Sequence, residues 1–319
     1  MSDKVRMFFG TDVHGSEIVW RKWLAIPTTY QVDVLVMAGD LTGKMVIPII
    51  KKDDGAWVCR AFGQVFTAKT EPELEQIKEK VLFSGYYPRV CSEAEVQELK
   101  GDPKKVDEMF EEEMEKNMRR WMRLVEEKVP KNVKTIVMPG NDDSFVIDNA
   151  IKETEAVIYS LGKVVPLFFD YEMISLDYSN PTPWDSPREC SEKELEKMLE
   201  GIAKLVTGPW NKIVCNFHVP PYGSGLDLAP ELDKNLQVVA DAVGGTRSKP
   251  VGSTAVAEFI KERQPYVGLH GHIHESGGNS KIGNTLIFNP GSEYGEGILK
   301  GIIFEFVREG IDKYWAISG

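Results

Sequence analysis

Six short apolar strings, each running straight into a loop of Gly, Asp, Asn, Pro or His, constrain this chain more than any other feature. They are VRMFFGTDVHG (5–15), VDVLVMAGDLTG (32–43), VKTIVMPGNDD (133–143), MISLDYSNPTPW (173–184), KIVCNFHVPPYG (212–223) and PYVGLHGHIHES (265–276). Continuous apolar runs of four to six residues, without alternation, suit strands buried on both faces. Amphipathic stretches lie between them. Strand–helix alternation that closes on a run of strands predicts an α/β sandwich.

The clearest helix candidate is 103–129. There Val106, Met109, Phe110, Met114, Met118, Trp121, Met122 and Val125 fall near a 3.6-residue period, with Glu, Lys and Arg elsewhere. Its acidic run EEEMEK reads as a solvated helix face. Further helices are expected over 192–205 and 253–263. Ser191 and Glu194, three apart, match a capping box for the first of these. The segment 44–101 breaks the alternation. MVIPIIKKDDGAWVCRAFGQVF reads as a hairpin turning at Asp54-Gly55, and EPELEQIKEKVLF reads as helical. We therefore expect one domain over 1–319 with an insertion at about 44–101, either a structural flap or a lid over a substrate pocket. From Thr285 onward the pattern is strands, with a hairpin around Glu309-Gly310.

An apolar fraction of 42% is sufficient for a sizeable core. A net charge of −11 argues against wrapping a long polyanion, because phosphate backbones are gripped by clustered Lys and Arg. A short nucleotide held through cations stays open. The four cysteines, Cys59, Cys91, Cys190 and Cys215, form no CxxC pair and read as reduced thiols. The opening MSDKVRMFFGTD carries no apolar core of signal-peptide length, and no apolar run is long enough to span a bilayer. The expected setting is soluble and cytoplasmic, with no membrane partner.

Three of the five histidines crowd into LHGHIHES, as His270, His272 and His274. Either they belong to a metal site or they mark a polar strand face. In open α/β sheets, ligands sit beyond the carboxyl ends of strands. Here those ends carry Asp12 and His14, then Asp40, then Asn141, Asp142 and Asp143, then His218, then His272 and His274. On extended backbone, Asp12 and His14 would point the same way, as would His272 and His274. Such an N/O donor set suits Mn²⁺, Fe or Zn²⁺ and lacks the thiolates of a structural zinc site. Each motif alone is common by chance. Asp40 could merely cap a helix, and Asn141 could merely turn the chain. Five in order, each after an expected strand, form a joint pattern.

That pattern, DVH, AGD, GNDD, FHVPP and GHIH, resembles the calcineurin-like metallophosphoesterases. The resemblance runs from about Phe8 to Ser292, outside the 44–101 insertion. The phrases SNPTPW, HVPPYGSGLD, HGHIHES and NPGS look like the Icc-related phosphohydrolase branch. The resemblance implies a four-layer α/β fold of two mixed β-sheets flanked by helices. It implies one metal on Asp12, His14, Asp40 and His274, and a second on Asp40, Asn141, His218 and His272, with Asp40 bridging. Two divalent ions are implied, with Mn favoured and Fe, Zn or Ni as alternatives. His270 is left as a strand residue or a supporting one.

One position departs from the family pattern. Asp142 stands where the family usually has the His of GNH, an imidazole that helps the leaving oxygen. An ordinary carboxyl is an anion at pH 7 and would repel a phosphate. Asp142 would then either share a proton with neighbouring Asp143 or bind a water, or else turn away. Alkyl phosphomonoesters should accordingly be poor substrates, and diesters or activated leaving groups better ones. The expected activity is a metal-dependent phosphodiesterase acting on a small phosphodiester or nucleotide through a metal-bridged hydroxide, with Asp142, Asn141 and His218 nearest the phosphoryl group. The rivals are a catalytically weak binding scaffold on the same fold and a nuclease. The loops PYGSG and VGGTRS read as turns, and Arg188 and Arg247 as exposed loop residues that could reach a phosphate.

Overall fold

The computed structural model describes residues 3–240 and 245–319. In chain order the first part runs β1 (Val5–Gly10), α1 (Glu17–Tyr30), β2 (Val34–Ala38), β3 (Val46–Lys51), β4 (Trp57–Ala61), β5 (Gln64–Ala68), α2 (Glu71–Phe83), β6 (Tyr87–Ser92), α3 (Glu93–Lys100), α4 (Pro103–Lys128) and β7 (Lys134–Met138). The second part runs α5 (Ile147–Lys152), β8 (Ile158–Tyr159), β9 (Val165–Pro166), β10 (Glu172–Leu176), α6 (Glu192–Ala203), β11 (Ile213–Phe217), β12 (Leu228–Pro230), β13 (Ser248–Pro250), α7 (Thr254–Arg263), β14 (Val267–Leu269), β15 (Gly278–Ile282), β16 (Thr285–Asn289), β17 (Lys300–Val307) and β18 (Gly310–Ser318).

Two six-stranded mixed sheets form the centre, ordered β18-β17-β1-β2-β7-β8 and β15-β16-β14-β11-β10-β9. Met7, Phe9, Val34, Val36, Ile136 and Met138 of the first sheet share one core with Met173, Val214, Val267 and Phe288 of the second, so the sheets pack face to face. The opposite face of the first sheet is covered by α1, α4 and α5, through Trp20, Trp121 and Ile147. The outer face of the second is covered by α6 and α7, through Leu195, Leu199, Val256 and Ile260. This is the four-layer sandwich of two mixed sheets flanked by helices that the resemblance implies. It explains the apolar runs, because all five residues of β2 and of β11 are buried. Each fully buried Leu, Val, Ile or Phe contributes about 1.5–3 kcal/mol.

The helices start where the local chemistry directs. Asp102 accepts from the backbone N–H of Lys105, and Pro103 takes the first turn of α4, where a missing N–H leaves no bond unmade. Ser191 and Glu194 close the expected capping box of α6. On α4, Met114, Met118, Trp121, Met122 and Val125 are buried as the period requires, and Trp121 stacks on Trp20 with centroids 4.2 Å apart. Val106 does not follow, being 38% exposed. Nor is EEEMEK wholly solvated: Glu113 is buried and pairs with Arg89 at 3.1 Å.

Residues 46–92 build a separate four-stranded sheet, ordered β5-β4-β3-β6, with its own core of Ile49, Trp57, Cys59, Leu74, Ile77 and Val81. The β3–β4 hairpin turns at Asp54-Gly55 and α2 follows as expected. Pairing of β6 parallel to β3 was not legible in the sequence, since β6 has no continuous apolar run and carries Pro88 and Arg89. Among the described residues, no helix is long and apolar enough to cross a membrane.

A candidate dinuclear metal centre

β1, β2 and β7 lie side by side and parallel in one sheet, as do β10, β11 and β14 in the other. Their carboxyl ends meet at the same end of the sandwich. The strands stop at Gly10, Ala38, Met138, Phe217 and Leu269, before the candidate ligands begin. The ligands therefore do not alternate along extended strands as expected. Asp12, His14, Asp40 and His272 have φ of 55°, 40°, 50° and 67°, in the left-handed region that side-chain-bearing residues seldom adopt. Such conformations persist where surrounding contacts over-determine them, commonly at functional sites. The tight loops turn each side chain inward where an extended strand would have carried it past the site.

The side chains gather into two groups. Asp12, His14, Asp40 and His274 place one donor atom each within 4.8 Å of one another, and so do Asp40, His218 and His272. Asp40 belongs to both: its Oδ2 lies 3.5 Å from His14 Nε2 and its Oδ1 lies 3.2 Å from His218 Nε2. Asp12 Oδ1 is 3.5 Å from His274 Nε2, and His14 Nε2 is 3.0 Å from His274 Nε2. Six of the seven expected metal ligands are thus brought together in two groups that share Asp40; Asn141 adjoins them through Asp142, whose backbone N–H donates to Asp40 Oδ1 at 3.0 Å.

The donor chemistry fits cations. Among the described residues, Asn141 Oδ1 is buried without a hydrogen-bond partner, which is costly for a polar atom unless something else takes its lone pair. Nδ1 of His218 faces Ala38 O at 3.4 Å, which directs the ring's Nε2 towards Asp40. Burial lowers His14 to about 3 and His272 to about 4, so both rings are neutral donors at pH 7. Burial opposes charge on Asp40 and Asp12 as well, but the surrounding imidazoles outweigh it and hold both carboxyls below their ordinary value. At His218 the balance goes the other way: burial is outweighed by Asp40 and Asp12, raising the ring to about 10. That proton is one a divalent cation would displace, since ligands bind metals deprotonated.

The supporting residues were mostly missed in the sequence. Asp143 is fully buried and accepts from the backbone N–H groups of Leu41, Thr42 and Gly140 and from the Thr42 hydroxyl, all within 3.0 Å. It therefore ties the Asp40 loop to the Asn141 loop. Gly140 is needed at that seam, because a Cβ there would lie 2.4 Å from Asp40 N. Burial and the nearby Asp40 charge raise Asp142 to about 6, with Lys44 opposing. His270, fully buried, directs Nδ1 at the carbonyls of Phe217 and Val219 on either side of His218, 2.9 and 3.1 Å away. It supports the His218 loop and is absent from both donor groups.

Arg188 corrects the expectation of an exposed loop residue. It is 1% exposed, bonded to Asp177 and Asp148 at 2.6 Å each and to the carbonyl of Asp143 at 2.8 Å. Its own N–H donates to Asn141 O. Arg247 is exposed and pairs with Glu231 near the β12–β13 ribbon. PYGSG is a turn, with Gly223 and Gly225 donating to Asp227. Part of the VGGTRS loop lies outside the described residues. Lys44, Ser186 and Tyr294 also reach the site. Ser186 accepts from Asn141 Nδ2 at 2.7 Å, and the Tyr294 ring lies 4.6 Å from that of His14.

No family model matches the chain. A stretch of 160 residues, 50% of the chain, is 27% identical to the uncharacterized protein MJ1162 of Methanocaldococcus jannaschii. The match spans 64% of that relative, less than two thirds of its length. One solved structure is similar over 98% of both chains, with a TM-score of 0.60 at 17% identity. The protein TT1561 of Thermus thermophilus is similar over 95% of this chain and 99% of its own, with a TM-score of 0.52 at 12% identity. At such identities the likeness is one of fold.

Proposed function

We propose that this protein is a dinuclear metal-dependent phosphoesterase, and that its favoured substrate is a small phosphodiester or nucleotide. The observation that carries the reading is the division of Asp40 between two donor groups, one oxygen turned to each. Asp12, His14, Asp40 and His274 would hold one ion, and Asp40, Asn141, His218 and His272 the other. Two divalent ions so held supply a nucleophile from water at neutral pH and offset charge on the phosphoryl group. Manganese is the favoured metal, with Fe, Zn and Ni as alternatives for the same N/O set. As ligands of the second ion, Asn141 and His218 would steady phosphoryl oxygens through it. The preference for a diester rests on charge: a diester carries one negative charge, whereas a monoester carries about 1.5–2 at pH 7 and meets Asp142. A small substrate and no extended nucleic acid suit a chain of net charge −11. Four unpaired thiols suit a reducing, cytoplasmic setting.

The test is hydrolysis of bis(p-nitrophenyl) phosphate against p-nitrophenyl phosphate by protein loaded with Mn²⁺, Ni²⁺, Fe²⁺ or Zn²⁺. The diester is expected to turn over faster. Asp40→Asn is expected to lose bound metal and to cut turnover by about 100-fold or more. A clear monoester preference would remove the substrate assignment. No metal uptake, or an Asp40→Asn protein unchanged in metal content, would favour a binding scaffold. Rapid cleavage of single-stranded DNA or RNA would favour a nuclease.

A further inference from the structure

Lys44 returns from the start of the insertion to the rim of the metal centre. Its Nζ lies 3.3 Å from Asp142 Oδ2, and about half of its side chain, 49%, is open to solvent. The same oxygen is 3.9 Å from His14 Nδ1, and the backbone N–H of Asp142 donates to Asp40 Oδ1 at 3.0 Å. The ammonium is therefore one carboxylate away from the bridging candidate Asp40 and from His14.

The insertion holds Lys44 there through a close seam. A Cβ on Gly43 would lie 2.2 Å from Gly85 O, and one on Gly15 would lie 2.6 Å from Gly43 Cα. The N–H of Gly43 donates to the buried hydroxyl of Tyr87 at 2.8 Å. Gly85 and Tyr87 belong to the insertion, while Gly15 follows His14, so the two backbones touch beside the cage. A swinging lid would have to break this seam. The insertion is better described as a fixed wall that delivers one cation.

We propose that Lys44 is the substrate-binding cation of this site, positioned by the insertion, masked by Asp142 until substrate arrives, and taking a non-bridging phosphate oxygen. This rests on the phosphoesterase reading. An ammonium has three N–H donors, and Asp142 occupies one direction only, leaving donors for an incoming anion. A local cation is what an anionic substrate needs at the mouth of an acidic protein. A purely structural surface pair would add little and would not bear on phosphate.

Lys44→Met and Asp142→Asn separate these roles, because they act on phosphate in opposite senses. Binding of inorganic phosphate is measured by calorimetry, with and without Mn²⁺, alongside bound metal and the KM for bis(p-nitrophenyl) phosphate. Lys44→Met is expected to weaken phosphate binding about tenfold or more and to raise KM, with bound metal unchanged. Asp142→Asn, which frees the cation, is expected to tighten phosphate binding, and adding Lys44→Met should abolish that gain. Lys44→Arg should restore most of the affinity. The proposal is overturned if both single variants shift phosphate affinity the same way, if neither shifts it, or if the parent protein binds no phosphate. Loss of activity and metal binding in the parent protein would instead sink the phosphoesterase reading, and the phosphate titrations without metal would still decide on Lys44.

Discussion

Arg188 carries a full charge into a site with 1% exposure, between Asp177 and Asp148, and bonds to the chain around Asn141 and Asp143. Removing one partner from such a cluster strands the other, so Arg188→Met is expected to cost about 3–5 kcal/mol, read from urea unfolding. The same substitution should loosen Asn141. A variant as stable as the parent would mean that the two aspartates find other partners. At this scale the sequence was uneven. Every candidate ligand could be read from its motif, because the chemistry requires those residue types after those strands. Arg188, Asp143 and Lys44 could not, because their roles depend on partners distant along the chain. Asp142 was recognised as unusual, but its pairing with Lys44 was not foreseen.

Elements were legible where burial imposes a period. The apolar runs mark β1, β2, β7 and β11, and the 3.6-residue period marks α4. α1 was overlooked, although Val19, Trp20, Trp23 and Leu24 are buried at helical spacing. The short strands of the insertion half-face solvent and carry weaker patterns. Between strands, one cluster on β17 has a pH signature. Glu305 is buried, and bonds from Lys4, Arg6 and Lys313 lower its carboxyl from 4.5 to about 2. A depressed carboxyl stabilises the fold above its ordinary value, and that contribution fades as pH falls from 4.5 towards about 2. Glu305→Gln should therefore lower Tm most at neutral pH, with the gap to the parent closing across that acid window. A gap independent of pH would show that the cations contribute nothing through charge.

For the whole molecule, the centre depends on two sheets presenting their carboxyl ends at one place. Neither sheet alone holds a complete donor set: Asp12, Asp40 and Asn141 follow strands of the first, and His218, His272 and His274 follow strands of the second. Metal binding should thus tie the sheets together. Mn²⁺ at 100 times its dissociation constant is expected to add about 2.7 kcal/mol, seen as a rise in Tm of a few degrees that a chelator reverses. Asp40→Asn should blunt the rise. An unchanged Tm across a manganese titration would contradict a preformed site. Taken alone, the sequence determined the layered α/β class and the identity of the candidate ligands, because burial period and ligand chemistry are local properties written in residue order. Only the tertiary structure decided that left-handed loops rather than extended strands aim the side chains, that Asp143 and Arg188 brace those loops, and that the insertion brings Lys44 to the rim. Those outcomes depend on contacts between distant segments, which the spacing of residues along the chain does not encode.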